Sequence, residues 1–142
     1  MKKSYIPASI RRLVYDRAQG FCEYCLIPND FVLVPHEVDH VIAQKHGGQT
    51  NADNLALSCT LCNRYKGSDL ASIDPETGQV IPLFNPRREN WSDHFEVIQG
   101  EIIAKTTIGK VTVRLLQLNR PEQILERQIL QNAGLLSKPA TK

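Results

Sequence analysis

The sequence predicts an α+β chain in the order helix, hairpin, helix, hairpin, helix. Three observations predict it. Apolar residues recur at helical spacing near both ends, short extended runs flank a Gly-Gly loop, and two C-x2-C pairs stand far enough apart to hold a strand–loop–strand unit between them. The 142 residues correspond to about one domain. The whole chain, 1–142, is therefore read as a single domain, with a core at about 20–70 and a C-terminal extension at about 71–136.

Pro7 suits a helix start, and Ile10, Leu13, Val14 and Ala18 follow at helical spacing until Gly20 stops them. Phe21 to Cys25 reads as a tight knuckle. Phe31-Val32-Leu33-Val34 and Val38 to Ile42 read as extended, interrupted at Pro35. Gly47-Gly48 and Gln49 to Asn54 form a loop, Leu55 to Ser58 a second strand, and Thr60 to Leu70 a helix. The Pro-, Gly- and Asn-rich stretch Ile73 to Asn90 reads as a connecting loop. Phe95 to Lys105 and Lys110 to Leu118 are expected to be strands joined at Ile108-Gly109. Pro121 opens a last helix carrying Ile124, Leu125, Ile129 and Leu130, which Gly134 ends. The tail Ser137 to Lys142 is expected to be loose.

Hydrophobic residues make up 42% and charged residues 23%, the balance of a globular chain rather than a disordered one. No apolar run has membrane-spanning length, so no membrane partner is expected. Met1-Lys2-Lys3 resembles the start of a signal peptide, but residues 4–12 hold no apolar stretch. The expectation is a cytoplasmic protein of bacterial or phage type. The net charge of +2 is too small to imply a polyanionic partner, but it hides an asymmetry: residues 1–20 carry +4 and residues 21–60 carry −4. A cation site beside a polyanion has this pattern, and so does ordinary surface charge.

All four cysteines fall into the two pairs, Cys22/Cys25 and Cys59/Cys62, with thirty-three residues between them. Two short bites from separate segments suit tetrahedral zinc, which four thiolates satisfy without a further ligand. Two disulfides or a redox C-x-x-C are the alternatives. The first fits poorly with the absence of a secretion signal, and the second with two matched pairs. A structural zinc would tie the knuckle to the start of the Thr60 helix and supply folding energy that a small core lacks.

Between and just beyond the pairs lie Asp39-His40, Gly47-Gly48, Asn54-Leu55 and Cys62-Asn63-x2-Lys66. In this order the elements resemble the HNH endonuclease family, whose core is a ββα-metal unit. The match is strongest over residues 20–67. His40 matches the family's first His, Asn54 its central Asn, and Asn63 stands where some members carry a final His, which makes this an H-N-N version. Phe84-Asn-Pro-Arg87 through Trp91-Ser-Asp-His-Phe95 resembles, more loosely, an extension found in a bacterial subgroup.

The resemblance implies hydrolysis of DNA to a 5′-phosphate and a 3′-hydroxyl, and it implies that Asn54 braces the loop and His40. Chemistry supports the assignment. An imidazole such as His40 accepts a proton from water near neutral pH. Asp39 supplies a hard oxygen and Asn63 a neutral one, a set that suits Mg²⁺ or Mn²⁺ with waters and a phosphate oxygen completing the shell. Double-stranded DNA is the expected partner. One site cuts one strand, so a double-strand break would require a homodimer or rebinding, and a separate specificity partner is compatible with the sequence. Lys66, one helical turn from Asn63, is the first candidate for a phosphate contact, followed by Arg64, Arg11, Arg12, Arg87 and Arg88.

The bland alternatives are specific. Glu37 either supports the site or is solvated. His36 reads as a plain strand histidine, His46 as a loop residue and His94 as a structural partner. Phe84, Trp91 and Phe95 are assigned to the core. A non-catalytic zinc-stabilised module that binds nucleic acid would need only the four cysteines.

Overall fold

A computed structural model describes residues 5–136. The expectations for Met1-Lys2-Lys3 and for Ser137 to Lys142 lie outside the described residues. Helix α1 (Ala8–Ala18) follows Pro7 and buries Val14 and Ala18. Strands β1 (Glu37–His40) and β2 (Leu55–Ser58) form an antiparallel hairpin with His40 opposite Leu55 and Asp39 opposite Ala56. Helix α2 (Thr60–Lys66) follows directly, so the chain builds a β-β-α unit at 37–66. Leu55 and Leu57 pack with Ile6, Val14 and Ala18, which seats α1 against one face of the hairpin.

Phe31 to Val34 does not form a strand. Asn29–Phe31 makes a single 3-10 turn, and Leu33 and Val34 are exposed. Pro28 and Pro35 bracket the segment, and no described strand pairs with it. The α2 helix stops at Lys66 because Gly67 takes a positive φ of 52°. The stretch expected to be a loop holds a small hairpin, β3 (Ala71–Ile73) with β4 (Val80–Pro82).

Beyond α3 (Trp91–His94), the expected first strand is itself a complete hairpin, β5 (Phe95–Ile98) with β6 (Glu101–Ala104). Its two turn residues, Gln99 and Gly100, both have positive φ, as a type I′ turn requires. The expected second strand is helix α4 (Thr107–Leu116). Thr106 caps it by accepting from the Gly109 amide at 3.0 Å, and Val111, Thr112 and Leu116 face inward at helical spacing. Val111, Thr112 and Val113 favour a strand by local propensity, and tertiary packing overrides it.

The last helix, α5 (Pro121–Asn132), runs where expected, and of its four expected apolar residues Leu130 is buried and Ile124 half-buried. Leu125 and Ile129 are exposed, while Gln123, Arg127 and Leu130 are buried. Arg127, fully buried, donates from Nε to the Gly100 carbonyl at 2.6 Å and from Nη1 to the Cys25 carbonyl at 3.2 Å. Its Nη2 reaches the Leu118 carbonyl at 2.6 Å. One guanidinium therefore ties α5 and the β5–β6 turn to the first cysteine knuckle. Phe84, Trp91 and Phe95 are core residues as expected, in an apolar cluster that runs from Cys22 to Leu130. Trp91 Nε1 donates to the Tyr24 carbonyl at 3.0 Å. No helix among the described residues is long and apolar enough to cross a membrane.

Candidate functional site

Cys22 and Cys25 sit on the knuckle after α1, and Cys59 and Cys62 on the first turn of α2. All four are buried and free of disulfides, and their sulfurs lie within 4.8 Å of one another. Cys25 Sγ stands 3.7 Å from Cys59 Sγ. A disulfide would need about 2.05 Å, whereas two thiolates on a tetrahedral zinc with bonds of about 2.3 Å stand roughly 3.8 Å apart. The cluster is thus compatible with a structural zinc. The Cys62 amide donates to Cys59 Sγ at 3.3 Å and the Cys25 amide to Cys22 Sγ at 3.5 Å, which favours the thiolate form. Hydrogen bonds from Cys22, Cys25 and Cys62 hold the Cys59 thiol far below its usual pKa, and the same sharing pushes Cys62 well above its own. Four thiols this close do not all ionise without a cation among them.

His40 ends β1 and is buried, with Nε2 2.8 Å from Thr50 Oγ1. Thr50 was not among the sequence candidates. It lies in the loop between the strands and carries no motif signal beyond that position. The loop is closed by Asn54. Its Oδ1 accepts from the Ile42 amide at 2.9 Å, and its Nδ2 donates to the carbonyls of Ile42 and Gln49, each at 2.9 Å. Gly48 is required by this closure, because a Cβ there would lie 1.7 Å from the Ile42 carbonyl oxygen. The Asn54 side chain thus braces the loop that carries the histidine's partner.

On α2, Asn63 donates from Nδ2 to the Glu37 carboxylate. With Nδ2 engaged, Oδ1 is the acceptor atom that remains on the Asn63 side chain. Glu37 and Asp39 stand two apart on β1 and so lean toward the same side of the strand. The half-buried Asp39 carboxylate also faces the Lys66 ammonium, whose pKa burial lowers and whose charge Asp39 and Asp69 support. Asp39 and Asn63 each carry an oxygen of the hard kind that Mg²⁺ or Mn²⁺ takes.

Lys66 was the first candidate for a phosphate contact. It is 5% exposed and donates from Nζ to the Val41 carbonyl at 2.9 Å, so it braces the strand exit and does not present its ammonium to a phosphate. Arg64 is exposed on α2. Arg11 and Arg12 lie beside His36 and Val38 along α1, where Arg11 Nε donates to the Ile6 carbonyl. Arg87 forms a buried ion pair with Glu23, whose carboxylate also accepts from the Leu57 amide at 2.8 Å. Burial raises the Glu23 pKa against the pull of Arg87.

The remaining histidines have structural partners. His36 Nε2 stands 2.7 Å from the Ile27 carbonyl oxygen, and His46 Nε2 stands 3.1 Å from that of Ser68. His94 Nδ1 lies 2.7 Å from Thr106 Oγ1 and Nε2 lies 3.2 Å from Glu89. Sequence reasoning missed Arg17, whose Nη1 and Nη2 donate to the carbonyls of Ala52 and Leu55 at 3.0 and 2.7 Å. It also missed Arg127. Nothing in the local pattern around an arginine shows which carbonyls the fold will bring to it.

Residues 22–69 match the HNH endonuclease family profile. The Septu protein PtuB of Bacillus thuringiensis is 25% identical over 123 residues, which cover 85% of this chain and 45% of that protein. The chain therefore spans less than half the length of this relative. No solved structure matches. The profile match, the β-β-α unit and the clustered cysteines fall on one stretch of sequence, and that stretch, residues 22–69 of an α+β chain, is similar to the HNH endonuclease family.

Proposed function

We propose that the chain is a metal-dependent HNH endonuclease that hydrolyses phosphodiester bonds of double-stranded DNA. Each site nicks one strand and leaves a 5′-phosphate and a 3′-hydroxyl. The observation that carries the reading is His40. It is a buried imidazole at the end of β1, held by Thr50 in a loop that Asn54 closes, next in sequence to the Asp39 carboxylate.

His40 acts as the general base and takes a proton from the attacking water. Thr50 fixes the plane of its ring. Asp39 and Asn63 Oδ1 would hold Mg²⁺ or Mn²⁺, with Glu37 setting the orientation of Asn63. The ion would supply Lewis-acid stabilisation of the charge that develops during hydrolysis. Cys22, Cys25, Cys59 and Cys62 hold a structural zinc. Because Cys62 adjoins Asn63, that zinc keeps a ligand of the catalytic ion in place. The apolar cluster shared by knuckle and extension supports 1–142 working as one domain, with a second copy or a specificity partner supplying the second cut.

Zinc-loaded protein incubated with supercoiled plasmid tests this. Nicked circles should accumulate with Mg²⁺ or Mn²⁺, vanish when the divalent ion is omitted, and vanish in His40→Ala. DNA binding without cleavage under every metal, with His40→Ala, Asp39→Ala and Asn63→Ala all binding as the wild type does, would replace the reading with the non-catalytic zinc module.

A further inference from the structure

A second feature borders the same loop at residues 52–55. Arg17 of α1, Asp53 of the loop before β2, and Arg87 and Arg88 of the turn after Phe84 line a pocket of about 290 Å³. Three guanidinium groups meet one carboxylate there. Arg17 and Arg87 are held by side-chain bonds to the rest of the fold. Arg17 grips the Ala52 and Leu55 carbonyls on either side of Asn54. Arg87 is fixed by its pair with Glu23 and by Asn85, whose Oδ1 accepts from the Arg87 and Arg88 amides at 2.9 and 3.2 Å.

The pairing of these arginines is incomplete. The Arg87 side chain is only 6% exposed, yet its Nε and Nη1 have no hydrogen-bond partner among the described residues, and neither does Nε of Arg17. Buried charged donors without an acceptor cost free energy. Glu23 serves only the Nη2 edge of Arg87. Arg17 and Arg87 are also close enough to repel, and burial together with the Arg87 charge lowers the Arg17 pKa. An oxyanion in the pocket would offset the excess positive charge of these guanidiniums, and the guanidinium fork matches phosphate oxygens.

We infer that the pocket between Arg17, Arg87 and Arg88 is a phosphate-binding site. On the nuclease reading above, on which this assignment rests, it holds a backbone phosphate of the DNA beside the one that is cut. Arg88, exposed at the rim, makes the outer contact, and Arg17 and Arg87 form the floor. Because Arg17 clasps the residues flanking Asn54, the bound strand is anchored to the loop that orients His40.

The test uses the zinc-loaded full chain carrying His40→Ala, so that bound DNA stays intact, and a fluorescent duplex of about 20 base pairs. Arg88→Ala, which leaves the Glu23–Arg87 pair in place, should lower the slope of log affinity against log salt by about 0.9, the value for one lost phosphate contact. Melting temperature and zinc content should not move. Duplexes with one neutral methylphosphonate, scanned along each strand, should show one position that weakens the Arg88-containing protein and does not weaken Arg88→Ala further. An unchanged salt slope with no coupled position would overturn the assignment. So would inorganic phosphate shifting the Arg17 and Arg87 Nε–H resonances while no methylphosphonate position couples, since the pocket would then take free phosphate rather than DNA. Plasmid cleavage by the wild type is read separately. Coupling without cleavage sinks the nuclease reading and keeps the pocket, and cleavage without coupling does the reverse.

Discussion

The segment at 22–69 and the extension at 71–136 are held together by different means. In the first, short polar and sulfur contacts do the holding: four clustered thiols, Asn54 on Ile42 and Gln49, Asn63 on Glu37. In the second, apolar packing around Phe84, Trp91, Phe95 and Leu116 does it, with two buried guanidiniums, Arg127 on the Cys25 carbonyl and Arg87 on Glu23, reaching back to the knuckle. The first region needs fixed residue types at fixed spacings, because a tetrahedral ion or a closed loop admits few substitutes. The second needs volume and a few well-aimed donors, which many sequences supply.

The largest expected effect breaks the first region. Cys59→Ser removes a ligand from a cluster whose zinc, by analogy with small metal-folded domains, is worth about 10–16 kcal/mol. That is as large as the whole stability of a typical domain. Cooperative thermal unfolding by circular dichroism should disappear, with zinc content falling well below one per chain.

Next comes the second region. Arg127→Met strands the Gly100, Cys25 and Leu118 carbonyls and should cost roughly 3–5 kcal/mol in urea unfolding. If the zinc content of this variant stays at one per chain, the two regions are separable. If it falls with stability, the arginine's grip on the Cys25 carbonyl belongs to the metal site as well.

Within the first region, Asn54→Ala removes three hydrogen bonds from the loop. It should lower plasmid nicking on the order of 100-fold, the scale of a small misplacement of a reacting group, while zinc content holds. The smallest effect is expected at Thr50→Val. Stability should change by about 1 kcal/mol or less. The pH–rate profile should move nonetheless, because the hydroxyl that touches His40 Nε2 is gone. An unmoved profile would make Thr50 a loop-packing residue only.

These contrasts explain what the sequence showed. The cysteine cluster and the loop closure by Asn54 were legible because a thiolate site and a closed loop fix both residue type and spacing. The first hairpin and α2 followed from them. Helix α4 was not legible, since Val111 to Val113 favour a strand until burial on one helical face decides otherwise. The inward side of α5 was missed for a related reason. Gln123, Arg127 and Leu130 share a face, and two polar residues on it hide its burial from any apolar pattern. Lys66 was read from its distance to Asn63 along the helix, which gives neighbourhood but not the direction in which a long side chain points.

The central claim is that a single imidazole, His40, accepts the proton that starts strand cleavage. Its most direct test is chemical rescue. His40→Ala, zinc-loaded and in Mg²⁺, should nick supercoiled plasmid at least about 100-fold more slowly than the wild type, the lower range of a general-base contribution. Added imidazole should restore part of that rate with a pH dependence set by imidazole's own pKa. A His40→Ala protein that nicks as fast as the wild type, indifferent to imidazole, would contradict the account.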